Sequence, residues 1–153
     1  MMQNFLNPNS KVIAIDFDGT IVEHKFPKIG KEMRFAFMTL RALQQKGHKL
    51  ILWTIRTGNL LDDAVNYCKE NGIEFYAINS NFNEEAKDEN ISRKINADVF
   101  IDDRNIGGFI GWGEVWQTLH PDGEEFLHQL KNPDAHSNYK KTNSIFKKIF
   151  GSK

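Results

Sequence analysis

The sequence predicts an α/β domain built on a mostly parallel sheet with helices on both faces. Short apolar runs alternate with longer amphipathic stretches, the pattern of strands joined by crossover helices. The first run, Val12-Ile-Ala-Ile15, is continuous rather than alternating, as expected of a strand buried on both faces. It ends on Asp16 and Asp18 followed by Gly19-Thr20, and strand tips are where such sheets bind ligands. A length of 153 residues suits one domain with a complete three-layer core.

The elements follow in order. Lys11–Asp16 is the first strand. Gly19 to Gly30 is an irregular, flap-like segment holding Glu23, His24, Lys25 and Pro27. Helix one is expected from Lys31 to Gln45, because Met33, Ala36, Phe37, Leu40 and Leu43 recur at helical spacing, and Gly47 is its stop. Lys49–Thr54 is the second strand, Leu60–Asn71 the second helix, closed by Gly72, and Phe75–Ile78 a short third strand. A polar segment, 79–90, and a helical turn over Ile91–Asn96 lead to the fourth strand, Asp98–Asp102. Gly107 to Gly113 is too glycine-rich for a central strand and reads as a loop with a short edge strand. Glu124–Leu130 is expected to be the last core helix. The single expected domain is thus 1–131. A polar tail, 132–153, follows, where Ile145, Phe146, Ile149 and Phe150 share one helical face suited to docking on the domain or on a second subunit.

Composition narrows the function. Twenty basic and 20 acidic side chains cancel, which removes a global electrostatic argument for a nucleic-acid binder. One cysteine, Cys68, excludes an internal disulfide and a multi-cysteine zinc site; it falls on the apolar stripe of helix two and reads as a buried thiol. No signal peptide and no membrane-length apolar run is seen, so the expected location is cytoplasmic.

Asp16 and Asp18 then demand explanation. Two carboxylates about 4 Å apart repel by roughly 4 kcal/mol at an effective dielectric of about 20, so the segment asks for a divalent cation. The other chemistry-bearing side chains also fall at strand ends: Thr54 closes strand two with Arg56 just beyond, Lys94 precedes strand four, and Asp102-Asp103 ends it. In a parallel sheet those ends share one edge.

The ordered set Asp16-Phe-Asp18-Gly-Thr20, an apolar strand ending in Thr54, then Lys94, then Asp102-Asp103, resembles the four motifs of the haloacid dehalogenase superfamily across residues 11–120. The resemblance implies a Rossmann-like sheet, a Mg2+-dependent phosphotransfer site, and Asp16 as nucleophile. A phosphomonoester dianion hydrolyses slowly, and an aspartyl-phosphate on Asp16 would split the reaction into easier steps. Asp18 is suited to protonate the leaving alkoxide and then to deprotonate water. The resemblance also implies that Asp18 meets the metal through its backbone carbonyl. The Thr54 hydroxyl and the amides of Gly19 and Thr20 are candidates for holding phosphoryl oxygens. Lys94 would add positive charge beside Asp16. Asp102 would bind Mg2+ directly, and Asp103 through a water or by orienting Lys94; an all-oxygen site suits Mg2+ better than zinc. Arg56 is either a phosphate clamp or a structural ion pair.

An acid at position 18 marks the phosphatases and phosphomutases of that superfamily, and the short inter-motif segments leave no room for a mutase-type cap. The expected activity is phosphomonoester hydrolysis, on a small phosphorylated metabolite. The alternatives are nucleic-acid ends or phosphoproteins, which an uncapped cleft admits. A second subunit covering the cleft is the attractive oligomeric arrangement. A response-regulator-like phosphoacceptor module is the competing class, but its acidic pair comes first in the chain and its phosphorylated aspartate later. Glu23, His24 and Lys25 lie on the flap and are candidates for substrate contact.

Overall fold

A computed structural model describes residues 9–85 and 90–121. The expected helix at Glu124–Leu130 and the amphipathic tail at 132–153 lie outside the described residues. Four strands, β1 (Val12–Ile15), β2 (Lys49–Leu52), β3 (Ala77–Ile78) and β4 (Val99–Ile101), form one parallel sheet in the order β3-β2-β1-β4. The helices are α1 (Ala36–Gln45), α2 (Gly58–Glu70) and α3 (Trp112–Leu119). The architecture is α/β, as the apolar-run pattern predicts.

Register explains why β1 is apolar throughout. Ile13 pairs with Leu50 and Val99, and Ile15 with Leu52 and Ile101, so these residues share one face. That face packs on Ala36, Phe37, Leu40 and Leu43 of α1, Ala64 and Cys68 of α2, and Trp112, Val115 and Trp116 of α3. Cys68 is a buried thiol, and its burial pushes the pKa up to about 12, so it is inert. The opposite face is a smaller cluster of Ala14, Ile51, Ala77 and Ile95, with Trp53, Ala97 and Phe100 packed against it.

Helices on both faces were the expectation, and here the structure differs: among the described residues all three helices pack on the first face. The second face is covered by the non-helical segment 90–97, where a helical turn was expected. The reason is local. Ile95 and Ala97, two residues apart, both turn to the sheet, and the Asn96 N–H goes to Asn81 Oδ1 at 2.6 Å instead of to a helical carbonyl.

Two further boundaries moved. Residues 31–33, read as the start of α1, are extended and form the base of the flap. Glu23 N–H donates to Lys31 O (2.8 Å), and Met33 N–H to Ile21 O (2.9 Å). The helix begins only after Phe35, at φ 66°, and Glu32 Oε1 accepts the otherwise orphaned Phe37 N–H. Further on, Gly107–Gly111 is a loop without the expected edge strand, and α3 starts at once at Trp112. Among the described residues no helix is long and apolar enough to cross a membrane.

Candidate functional site

The chain runs outward from β1 through β2 to β3, then returns to the far side of β1 for β4. That reversal creates a crevice at the carboxyl ends of β1 and β4, the place where open parallel sheets bind ligands. Asp16 directly follows β1 and Asp102 directly follows β4; Asp16 N–H donates to Ile101 O at 2.9 Å, tying the two tips together.

Carboxylate oxygens of Asp16, Asp102 and Asp103 all lie within 4.8 Å of one another. Burial, followed by the Asp102 and Asp103 charges, carries Asp16 from 3.8 to about 7, against opposing hydrogen bonds from the Phe17 backbone and the Thr20 side chain. Asp103 is also raised, first by burial and then by Asp102. Its Oδ1 is buried with no hydrogen-bond partner. A cluster of hard oxygen donors, mutually repelling and with one orphaned buried oxygen, fits a divalent cation of the Mg2+ or Ca2+ type.

The loop 17–22 sets this cluster. Ile21 and Val22 N–H both turn back to Phe17 O (3.0 and 3.1 Å). Gly19 adopts φ 91°, and a Cβ there would stand 2.2 Å from Asp103 Oδ2. Only glycine allows Asp103 that approach. Thr20 is fully buried; its hydroxyl donates to Asp16 Oδ2 (3.2 Å) and accepts the Asp103 N–H (3.1 Å). Its carbonyl accepts the Trp112 indole N–H at 2.9 Å.

These bonds revise the expected roles of Gly19 and Thr20 as phosphate holders. The Gly19 N–H is taken by Val22 O at 2.7 Å and the Thr20 N–H by Phe17 O at 3.4 Å, while the Thr20 hydroxyl proton goes to Asp16. Both residues build the carboxylate cluster from beneath.

No protein-family model matches the chain, and no curated protein does. Among solved structures, the chain is similar to a conserved protein coded by a locus from Bacteroides thetaiotaomicron. It shares 50% identity over 75% of this chain and 93% of its own, with a TM-score of 0.70. The chain belongs to the same family as that protein. The similarity supports the fold and gives no activity.

The remaining expected residues divide. Thr54 ends the stretch beyond β2; its hydroxyl accepts the Arg56 N–H (3.2 Å), which leaves its own proton free to donate. Asp18 is 6% exposed and its carboxylate stands outside the acidic cluster, with both oxygens on Arg56 at 2.7 Å. Arg56 is 1% exposed and spends four of its five N–H groups on Asp18 and on the carbonyls of Pro27 and Lys28. Of its two readings, the internal ion pair is the one this structure shows. Lys94, expected beside Asp16, is exposed, with its Nζ 5.8 Å from the Phe100 ring centroid, and no ion pair joins it to the cluster among the described residues. Phe100 lies on the small second face, and the non-helical course of 90–97 takes Lys94 there with it. Glu23, His24 and Lys25 are exposed on the flap.

Two contributors were not among the expected site residues. Asn79, at φ 50° just past β3, accepts the Thr54 N–H on its Oδ1 at 2.8 Å and so fixes the end of the β2 stretch. An asparagine at a strand end, able to take a left-handed backbone, was the available signal. Trp112 braces the loop 17–22; Trp112, Val115, Trp116 and Leu119 stand at i, i+3, i+4 and i+7, a helical stripe that the neighbouring glycines obscured.

Proposed function

We propose that this protein is a divalent-cation-dependent phosphomonoesterase of the haloacid dehalogenase type, with Mg2+ as its metal and Asp16 as its nucleophile. The observation that carries the reading is the convergence of Asp16, Asp102 and Asp103 oxygens within 4.8 Å at the β1/β4 crevice. The motif order in the sequence supplies the reaction class.

Asp16, Asp102 and Asp103 would hold the cation, which when bound supplies charge neutralisation to a phosphoryl group. Asp16 is the group best placed to attack phosphorus. Its Oδ2 is held by the Thr20 hydroxyl, so the carboxylate is fixed in orientation rather than free to rotate. Attack forms the Asp16–phosphorus bond as the ester oxygen–phosphorus bond breaks. Asp18 gives the leaving oxygen its proton and takes one from the water that then releases phosphate. The Thr54 hydroxyl donates to a non-bridging phosphoryl oxygen. Lys94 would join the site by leaving the Phe100 ring. The flap over 23–30 is too small to enclose a substrate by itself, which favours compact phosphorylated metabolites held near the crevice, or coverage by a second subunit.

The test is a panel of sugar phosphates, nucleotides, oligonucleotide ends and phosphopeptides, each with Mg2+ and with chelator. The expected result is Mg2+-dependent phosphate release that Asp16→Asn abolishes while the fold persists. Hydrolysis that survives chelation, or survives Asp16→Asn, would defeat the reading. Strong preference for an oligonucleotide or phosphopeptide would replace the small-metabolite assignment.

A further inference from the structure

Arg56 stands where three parts of the chain meet: the loop after β1, the end of the β2 stretch, and the tip of the flap. Its Nε and Nη2 donate to Asp18 Oδ2 and Oδ1, each at 2.7 Å. Its Nη1 donates to Pro27 O and its Nη2 also to Lys28 O, each at 3.0 Å. The guanidinium lies between two rings, with Cζ 5.0 Å from the Phe17 centroid and 5.3 Å from that of Phe26. Phe17 is fully buried under the loop, whereas Phe26 is 44% exposed on the flap. One planar cation therefore fastens an exposed flap to the carboxylate of Asp18, and does so in a buried setting where bidentate charge-assisted bonds are strong.

This geometry constrains Asp18. Both of its oxygens are bonded to Arg56, and Asp18 is not a member of the Asp16, Asp102 and Asp103 cluster. A carboxyl group that serves a leaving oxygen must give up at least part of that contact. The same guanidinium also holds the carbonyls of Pro27 and Lys28, so it joins Asp18 to the flap. We propose that Arg56 is a positioning residue that couples the flap at 26–28 to Asp18, so that movement of the flap sets where the Asp18 carboxyl stands relative to the substrate. This role rests on the phosphatase reading for its consequence in turnover, but the coupling itself can be measured without turnover.

The coupling is tested first by brief native-state trypsin digestion at Lys25 and Lys28, both exposed on the flap. Asp18→Asn and Arg56→Lys weaken the clamp and are expected to speed cleavage there by about tenfold, the effect of losing one charge-assisted pair on local opening. Phe26→Ala, on an exposed ring, keeps the ion pair and serves if an Arg56 variant fails to fold; its expected acceleration is smaller but in the same direction. Unchanged flap cleavage in Asp18→Asn and in Phe26→Ala would overturn the coupling.

Positioning is tested by comparing p-nitrophenyl phosphate, whose leaving group needs little protonation, with glycerol phosphate, whose leaving group needs it. Arg56→Lys is expected to lower kcat for the alkyl ester at least about tenfold more than for the aryl ester, in the same sense as Asp18→Asn. Equal losses on both esters would reduce Arg56 to a structural clamp and overturn its positioning role. Failure of the wild-type protein on every phosphate ester would instead sink the phosphatase reading, and the positioning role with it, while the trypsin result still decides the coupling.

Discussion

Replacing Asp102 with Asn should stabilise the metal-free protein and remove most of its gain from Mg2+, so that Mg2+ reverses the stability order of the two proteins. In the metal-free protein Asp16 is carried from 3.8 to about 7. Burial is the largest cause and the Asp102 charge the second, and the half-open site screens that charge, so its removal is expected to relieve on the order of 1 kcal/mol. The sign follows from linkage: a carboxyl with a raised folded pKa binds its proton better when folded. Its contribution is fully present below the unfolded value near 3.8 and is lost as pH rises through about 7. At pH 8 the metal-free wild-type protein therefore bears the full repulsion, and Asp102→Asn relieves part of it. The asparagine keeps an Oδ1 to accept the Arg104 N–H that Asp102 accepts at 2.8 Å, so the turn beyond β4 is retained. The variant should melt about 2–4 °C higher than wild type without metal. With Mg2+ at a hundred times its Kd, wild type gains about 2.7 kcal/mol, and the variant gains little. Scanning fluorimetry at pH 8, with chelator and with MgCl2, should show the two melting curves exchange order. A variant that is less stable under both conditions, or a wild type indifferent to Mg2+, would refute the reasoning.

Gly19→Ala combines a strained φ of 91° with a Cβ 2.2 Å from Asp103 Oδ2. It should cost about 2 kcal/mol or more in urea unfolding and abolish the Mg2+-induced rise in Tm. Trp112→Phe leaves Thr20 O without the indole N–H it accepts at 2.9 Å. The expected loss is about 2–4 kcal/mol from the unmade bond and the lost volume, again read by urea unfolding. At the opposite end of the sheet, His48 Nε2 and His120 Nε2 are 3.1 Å apart, and His48 Nδ1 accepts the Lys11 N–H. The His48 proton therefore sits on Nε2 and is donated to His120. Burial lowers both pKa values, aided by His120 and Lys11 at His48 and by Lys46 at His120. Depressed histidines favour the fold above their ordinary 6.5 and lose that contribution as pH falls through the folded values. Melting temperature should drop from pH 7.5 to 5, and less steeply in His120→Gln; equal slopes would exclude the pair as the cause.

The sheet was legible because its strands are short, apolar and punctuated. Ile13 and Ile15 pack one face and Ala14 the other, and no polar residue interrupts them. Gly47 and Gly72, expected as helix stops, do follow α1 and α2 at positive φ. The acidic cluster was legible for a similar reason, since residues ending parallel strands must meet at one edge. What escaped was decided by side-chain to backbone bonds between distant segments. Nothing local in Asn96 announces that Asn81 takes its N–H, yet that bond helps keep 90–97 non-helical and carries Lys94 toward Phe100. Likewise, the Thr20 amide looks free to hold phosphate until the turn back to Phe17 O is seen to take it, and the Thr20 hydroxyl joins Asp16 to Asp103, 83 residues later. The Asp18–Arg56 pair spans 38 residues, and its exclusivity depends on flap carbonyls that carry no sequence signature.

The covalent role of Asp16 is tested most directly by rapid acid quench during turnover of a phosphate ester with Mg2+, followed by peptide mass mapping. One phosphoryl group should appear on the tryptic peptide that runs from Val12 to Lys25, localised to Asp16, and be absent in Asp16→Asn. Turnover with an unmodified Asp16, or with the phosphoryl group on another residue, would contradict the account.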